Sequence, residues 1–99
     1  MSIARSSGEM TASAAASAKP CALAGVHLIS DATNDVKVIL NDHASSASGT
    51  VKGEYNLDVS LEGFTKHIVF PNPVDFANGI YVTLSGTGGT CVIEYILVG

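Results

Sequence analysis

The stretch 70-FPNPVDFANGIYVTLSG-86 decides how the chain is read. Pro71 and Pro73 have no N–H to donate, so a strand through Ile68, Val69 and Phe70 must end there or survive only at a sheet edge. The residue before each proline is held in extended geometry. Asn78 and Gly79 then supply turn conformations, after which Ile80, Val82 and Leu84 alternate with Tyr81, Thr83 and Ser85. That is the period of a half-buried strand, and the whole stretch has the composition of a crossover in an all-β sandwich. A loop presented for binding is the alternative.

Outward from this stretch, the other segments have the same character. Residues 21-CALAGVHLIS-30 predict a strand with apolar groups on both faces: Ala22, Ala24, Val26 and Leu28 against Leu23, His27 and Ile29. After the turn formers Asp31, Thr33 and Asn34, residues 35–42 predict a second strand that closes a hairpin with the first, Val36, Val38 and Leu40 facing inward. His43–Thr50 is a small-residue loop, long enough to cross between sheets or to project as a tip. Val51–Leu61 alternates cleanly, with Tyr55, Leu57, Val59 and Leu61 on one side. In Phe64–Phe70 the inward positions are Phe64, Ile68 and Phe70, with Lys66 snorkelling to the surface. Gly86–Gly89 forms a turn before the closing strand 90-TCVIEYILV-98, again two-sided, with Cys91, Ile93, Tyr95 and Leu97 opposite Val92, Ile96 and Val98. About six or seven short strands at this spacing predict an antiparallel β-sandwich of Greek-key or jelly-roll type.

Residues 1–20 are rich in Ser and Ala and hold few large apolar groups, so they predict an extended, flexible N-terminal arm, with at most a marginal helix over Glu9–Ala18. The sandwich domain is then 21–99. At 99 residues one domain is expected, and hydrophobic residues make up 46% against 14% charged, a surface short of solvating charge. The net charge is −4 and the five basic residues are scattered, which leaves no track for a phosphate backbone; nucleic acid is not an expected partner. No apolar run approaches the ~20 residues that span a bilayer, so a membrane is not expected either. The N-terminus lacks the apolar segment of a signal peptide, and cytoplasmic synthesis is expected.

Chemistry is sparse. His27, His43 and His67 have no metal-ligand spacing, and no nucleophile, base or carboxylate pair converges, so neither an enzyme nor a bound cofactor is expected. Asp31, Asp35 and Asp42 lack calcium-loop spacing and suit turn and capping roles. The glycines at 86, 88 and 89 precede a strand, without the helix N-terminus that binds phosphate. Cys21 and Cys91 are expected as small buried hydrophobes, a bridge between them being the alternative.

The segments GVHLISDATNDVKVILNDHASSASG and IVFPNPVDFANGIYVTLSGTGGTCVIEY, about half the chain, resemble small β-sandwich proteins of tailed-phage virions. The resemblance implies a structural role on the particle, as a capsid decoration or cement protein assembled in the host cytoplasm, and the expectation is that it stabilises the shell through its sandwich and its N-terminal arm. Its alternatives are a head or tail adaptor, or a fibre-type module binding receptor or carbohydrate through the His43–Thr50 and Gly86–Gly89 loops. Such proteins are homo-oligomers, often trimers, and contact major capsid or other virion proteins. The two-sided strands ask independently for a second cover, because an ordinary antiparallel sheet wets one face. The positions expected to meet a partner are Ile3, Met10, Leu23, Ile29, Val92, Ile96 and Val98; cover by the leading segment itself is the competing expectation.

Overall fold

The computed structural model describes residues 4–97. Their strands are β1 (Ala4–Ser6), β2 (Ala14–Ser17), β3 (Cys21–Ile29), β4 (Val36–Asp42), β5 (Val51–Leu57), β6 (Thr65–Phe76), β7 (Ile80–Ser85) and β8 (Thr90–Leu97), with a one-turn helix α1 (Val59–Glu62). A front sheet runs β1-β8-β3-β6 and a back sheet β2-β7-β4-β5, every pairing antiparallel. β1 thus lies beside β8, β2 beside β7, β3 beside β6 and β4 beside β5. That nesting is one long antiparallel ribbon rolled up on itself, the jelly-roll form of the β-sandwich.

Rolling explains a departure from the sequence reading. β3 and β4 belong to different sheets, so the Asp31–Asn34 turn carries the chain between sheets instead of closing a hairpin. The Gly86–Gly89 turn, closed by the Gly89 N–H donating to Gly86 O at 3.2 Å, makes the same kind of crossing. Turn residues suit either task, and local composition does not separate them. Among the described strands, β4 and β5 alone are neighbours in both sequence and sheet, and His43–Thr50 is the tip of that hairpin.

The leading segment is extended but not free. It supplies the outermost strand on one side of both sheets, β1 along β8 and β2 along β7. Between them the Ser7 N–H donates to Ile93 O at 2.8 Å, Met10 and Cys91 exchange backbone bonds at 2.8 and 3.0 Å, and the Leu84 N–H donates to Ser13 Oγ at 3.0 Å. Unpaired groups along β8 and β7 are a ready template for a strand, and small Ala and Ser side chains lay against it without steric demand. A helix over 9–18 would forfeit those bonds. The chain's surface of 5268 Å² matches the roughly 5,300 Å² that size scaling gives for a compact 10.1 kDa monomer, so the segment is packed and does not trail.

On the opposite side, β6 is the edge strand of the front sheet; it runs on through Pro71 and Pro73, but residues 70–73 step out of the pairing with β3, which resumes at Val74. Two lysines clasp this side. Lys52 Nζ on β5 donates to Asp75 O of β6 at 2.5 Å, and Lys66 Nζ on β6 donates to Asn56 O of β5 at 3.1 Å while pairing with Glu62 at 2.6 Å. Lys66 therefore snorkels as expected.

The core lies between the sheets, with Leu23, Val26, Leu28 and Ile93 from the front against Val38, Leu40, Leu57 and Val82 from the back, all fully buried. β5 stops at Leu57. The carboxylate of Asp58 caps α1 by accepting from the Ser60 N–H at 3.0 Å, and Leu61, read as an inward strand position, is 83% exposed. Phe64, also read as inward, precedes β6 and is 57% exposed. Cys21 and Cys91 are free and buried near opposite ends of β3, facing Leu97 and Leu28 respectively, which is too far for a bridge.

Candidate interaction face

The outer surface of the front sheet is built by three long strands. From β8 it takes Val92, Glu94 and Ile96; from β3, Ala22, Ala24, His27 and Ile29; from β6, Thr65, His67, Val69 and Asp75. β1 adds Ala4 beside Ile96 and Ser6 beside Glu94. Val69 is 66% exposed, and Ile29, Val92 and Ile96 are half-buried, with no element among the described residues lying over them. Phe64, whose carbonyl accepts from the Ser30 N–H at 2.8 Å, brings another exposed apolar group to the Ile29 end of the same sheet.

The polar centre of this face is a triad of side chains. His27 and His67, directly opposite each other on β3 and β6, stack with ring centroids 5.0 Å apart and planes 29° apart. His67 Nε2 meets Glu94 Oε1 at 2.5 Å. The carboxylate reaches this position because β3 bulges at Ala24–Gly25: from Leu23 to Gly25 the partner moves one residue on β8, Tyr95 to Glu94, and five on β6, Val74 to Val69. A Cβ on Gly25 would lie 2.6 Å from Glu94 Oε1 and 3.1 Å from Ile68 O, so glycine makes the room.

The same bulge corrects one expected partner contact. Strict alternation puts Leu23 on the outer face with His27 and Ile29; the extra residue turns it inward, and it is wholly enclosed in the chain's own core. Met10 is corrected as well: at 8% exposure it belongs to that core, held by its bridge to Cys91. Ile29, Val92 and Ile96 do share the outer face. Ile3 and Val98 lie outside the described residues. The sequence reading missed Val69, His67 and Glu94. Alternation around Ile68 and Phe70 would have found Val69, whereas the His27–His67 pairing needs the β3–β6 register.

Elsewhere several carboxylates and one histidine are committed to loop backbone. Asp31 Oδ1 accepts from the Thr33 and Asn34 N–H groups, both at 2.9 Å, and the Asn34 bond foremost holds its carboxyl below the usual range. Asp35 accepts from the Val59 N–H at 3.0 Å and Asp42 from the Asn78 N–H at 2.8 Å, the turn roles expected of them. His43 Nδ1 accepts from the Ser45 and Ser46 N–H groups at 3.1 Å. An open cleft of about 400 Å³ between β4, β5 and the β7–β8 turn is lined by Asp35, Lys37 and Asp58, but Asp35 and Asp58 both serve the α1 N-terminus. Among the described residues no three His, Cys, Asp or Glu side chains gather as a metal site, and no helix is long and apolar enough to cross a membrane.

The two loops proposed for a receptor- or carbohydrate-binding surface stand at opposite ends of β4. Gly49 abuts Asp42, and Gly86 abuts Asp35 and Val36, so the loops do not form one surface. No family model, curated protein or solved structure matches the chain.

Proposed function

We propose that this chain is a non-enzymatic structural subunit of a phage virion, a decoration or cement protein that associates with copies of itself through the outer face of the front sheet and so holds to the shell. The observation that carries the reading is the aliphatic outer face of Ile29, Val69, Val92 and Ile96, which no element among the described residues covers. A front sheet apolar on both sides is the signature of a sheet with a second cover. The occupant best matched to it is a second copy: the chain is acidic overall, at −4, and copies repel through most surfaces, but here Glu94 is already met by His67. Jelly rolls recur in viral capsid and lectin domains, which is consistent with a virion role without fixing it. The resemblance of both halves to small phage virion sandwiches supplies the rest. Linked copies then grip a shell by avidity, several weak contacts acting as one.

The test pairs native mass measurement with cosedimentation on phage shells. The full chain should be an oligomer at micromolar concentration and bind shells. Val92→Lys should keep its strand-rich circular dichroism yet lose both properties, since a lone ammonium under a second copy costs several kcal/mol. A wild-type chain that stays monomeric sinks the reading.

A further inference from the structure

Resting on this assembly reading, we propose that the stacked His27–His67 pair makes association through the front face acid-labile. Two imidazoles stand at the centre of the face, 5.0 Å apart, and a single carboxylate, Glu94, reaches them. The first proton is matched: on His67 it forms an ion pair with Glu94, and the face carries no net charge at its centre. The second is not. It places a cation on His27, stacked against another cation, with no further anion in reach among the described residues.

The groups around His27 bear this out. On β8 the residue opposite it is Val92, and on β6 it is His67. The next acid of β6 on this face, Asp75, sits opposite Ala22, five residues along β3 and on the order of 15 Å away. Lys66, beside His67 in sequence, is turned the other way to Glu62 and Asn56. Arg5 of β1 lies beyond β8, alongside Tyr95. In a free chain water solvates the second imidazolium, because His67 and Glu94 are 47% and 37% exposed. Under a second copy that water is gone and the charge is unpaired. The associated state therefore resists the second proton more than the free one does, and acid weakens association once it forces that proton on. A shell protein with such a centre would hold at neutral pH and let go in an acid compartment.

The experiment is sedimentation velocity on the full chain at pH 8 and pH 5.5, with circular dichroism at both, alongside His27→Gln and His67→Gln. Wild type should be assembled at pH 8 and at least tenfold weaker at pH 5.5 with its fold intact, reassembling on back-titration. His27→Gln, which cannot take the second proton, should stay assembled at both. Equal assembly of wild type at both values overturns the switch and leaves the assembly reading standing; a monomer at pH 8 overturns both. Acid dissociation that persists in both variants, or unfolding at pH 5.5 in place of dissociation, also overturns the assignment to this pair.

Discussion

The two sheets present opposite outer surfaces, although the same chain builds both. On the back sheet Lys37, Glu54, Asn56, Thr83 and Ser85 surround Ile39, with Tyr81 and the 55% exposed Val51 at one end, and Lys37 Nζ meets Glu54 Oε1 at 2.8 Å. That is the ordinary antiparallel arrangement, apolar inside and wet outside. The front sheet repeats the inner face but replaces the outer one with aliphatic residues around two histidines and one matched acid. Because one shared core lies behind both, stability of the monomer gives no reason for the difference. On the proposed reading the front face meets a second copy and the back face meets water, a sidedness that can be tested.

The largest expected effect separates the two faces of β3 itself. Leu23→Ala removes a fully enclosed side chain and should cost about 3 to 5 kcal/mol of unfolding free energy in chemical denaturation. Ile29→Ala, two turns of the pleat beyond the bulge on the outer side, should cost about 1 kcal/mol in the monomer and weaken the assembly by more than it weakens the fold. Equal losses in both measurements would erase the distinction between inner and outer face.

Next comes alkali. Burial pushes the Cys91 thiol on the inner side of the front sheet from 9.0 up to about 11. Its folded-state value lies above the unfolded one, so the stabilisation is fully present below pH 9 and is lost as pH rises through about 11. The difference corresponds to roughly 3 kcal/mol. Unfolding free energy should fall over that window, and Cys91→Ala should flatten the fall; a back-sheet contribution of similar size would leave the slope in place. Cys21 is raised in the same direction by its own burial, partly offset by Ser17, and adds to the loss.

Much of this architecture could be read from residues, and the failures have physical causes. The closing strand and β7 lie as their alternation requires, and the prolines at 71 and 73 do mark an edge. Alternation failed on β3 because one glycine inserts an extra residue; Gly25 in a strand interior was the available signal for a bulge. It failed again after Leu57, where Asp58 and Glu62 form a capping pair, with Glu62 Oε1 accepting from the Asp58 N–H at 3.1 Å, and a cap outweighs a period only two residues long. The leading segment was illegible for a deeper reason. Its place is set by backbone groups of β7 and β8, about 70 to 90 residues away, and Ser/Ala composition carries no record of them. The histidine centre needed the same long-range register.

The smallest expected effect lies on the back sheet, and its smallness is the point. Lys37 and Glu54 are 43% and 49% exposed, so water and salt already screen their attraction. Glu54→Gln should lower unfolding free energy by no more than about 0.5 kcal/mol, and the difference should vanish in 1 M salt. Oligomer mass should not change, because this face is proposed to meet only water. Thermal melts and sedimentation of the variant check both statements together. A loss well above 1 kcal/mol, or a shift in assembly, would mean the pair is desolvated in the working protein; the back sheet would then be covered too, and the sidedness drawn from the front sheet would have to be given up.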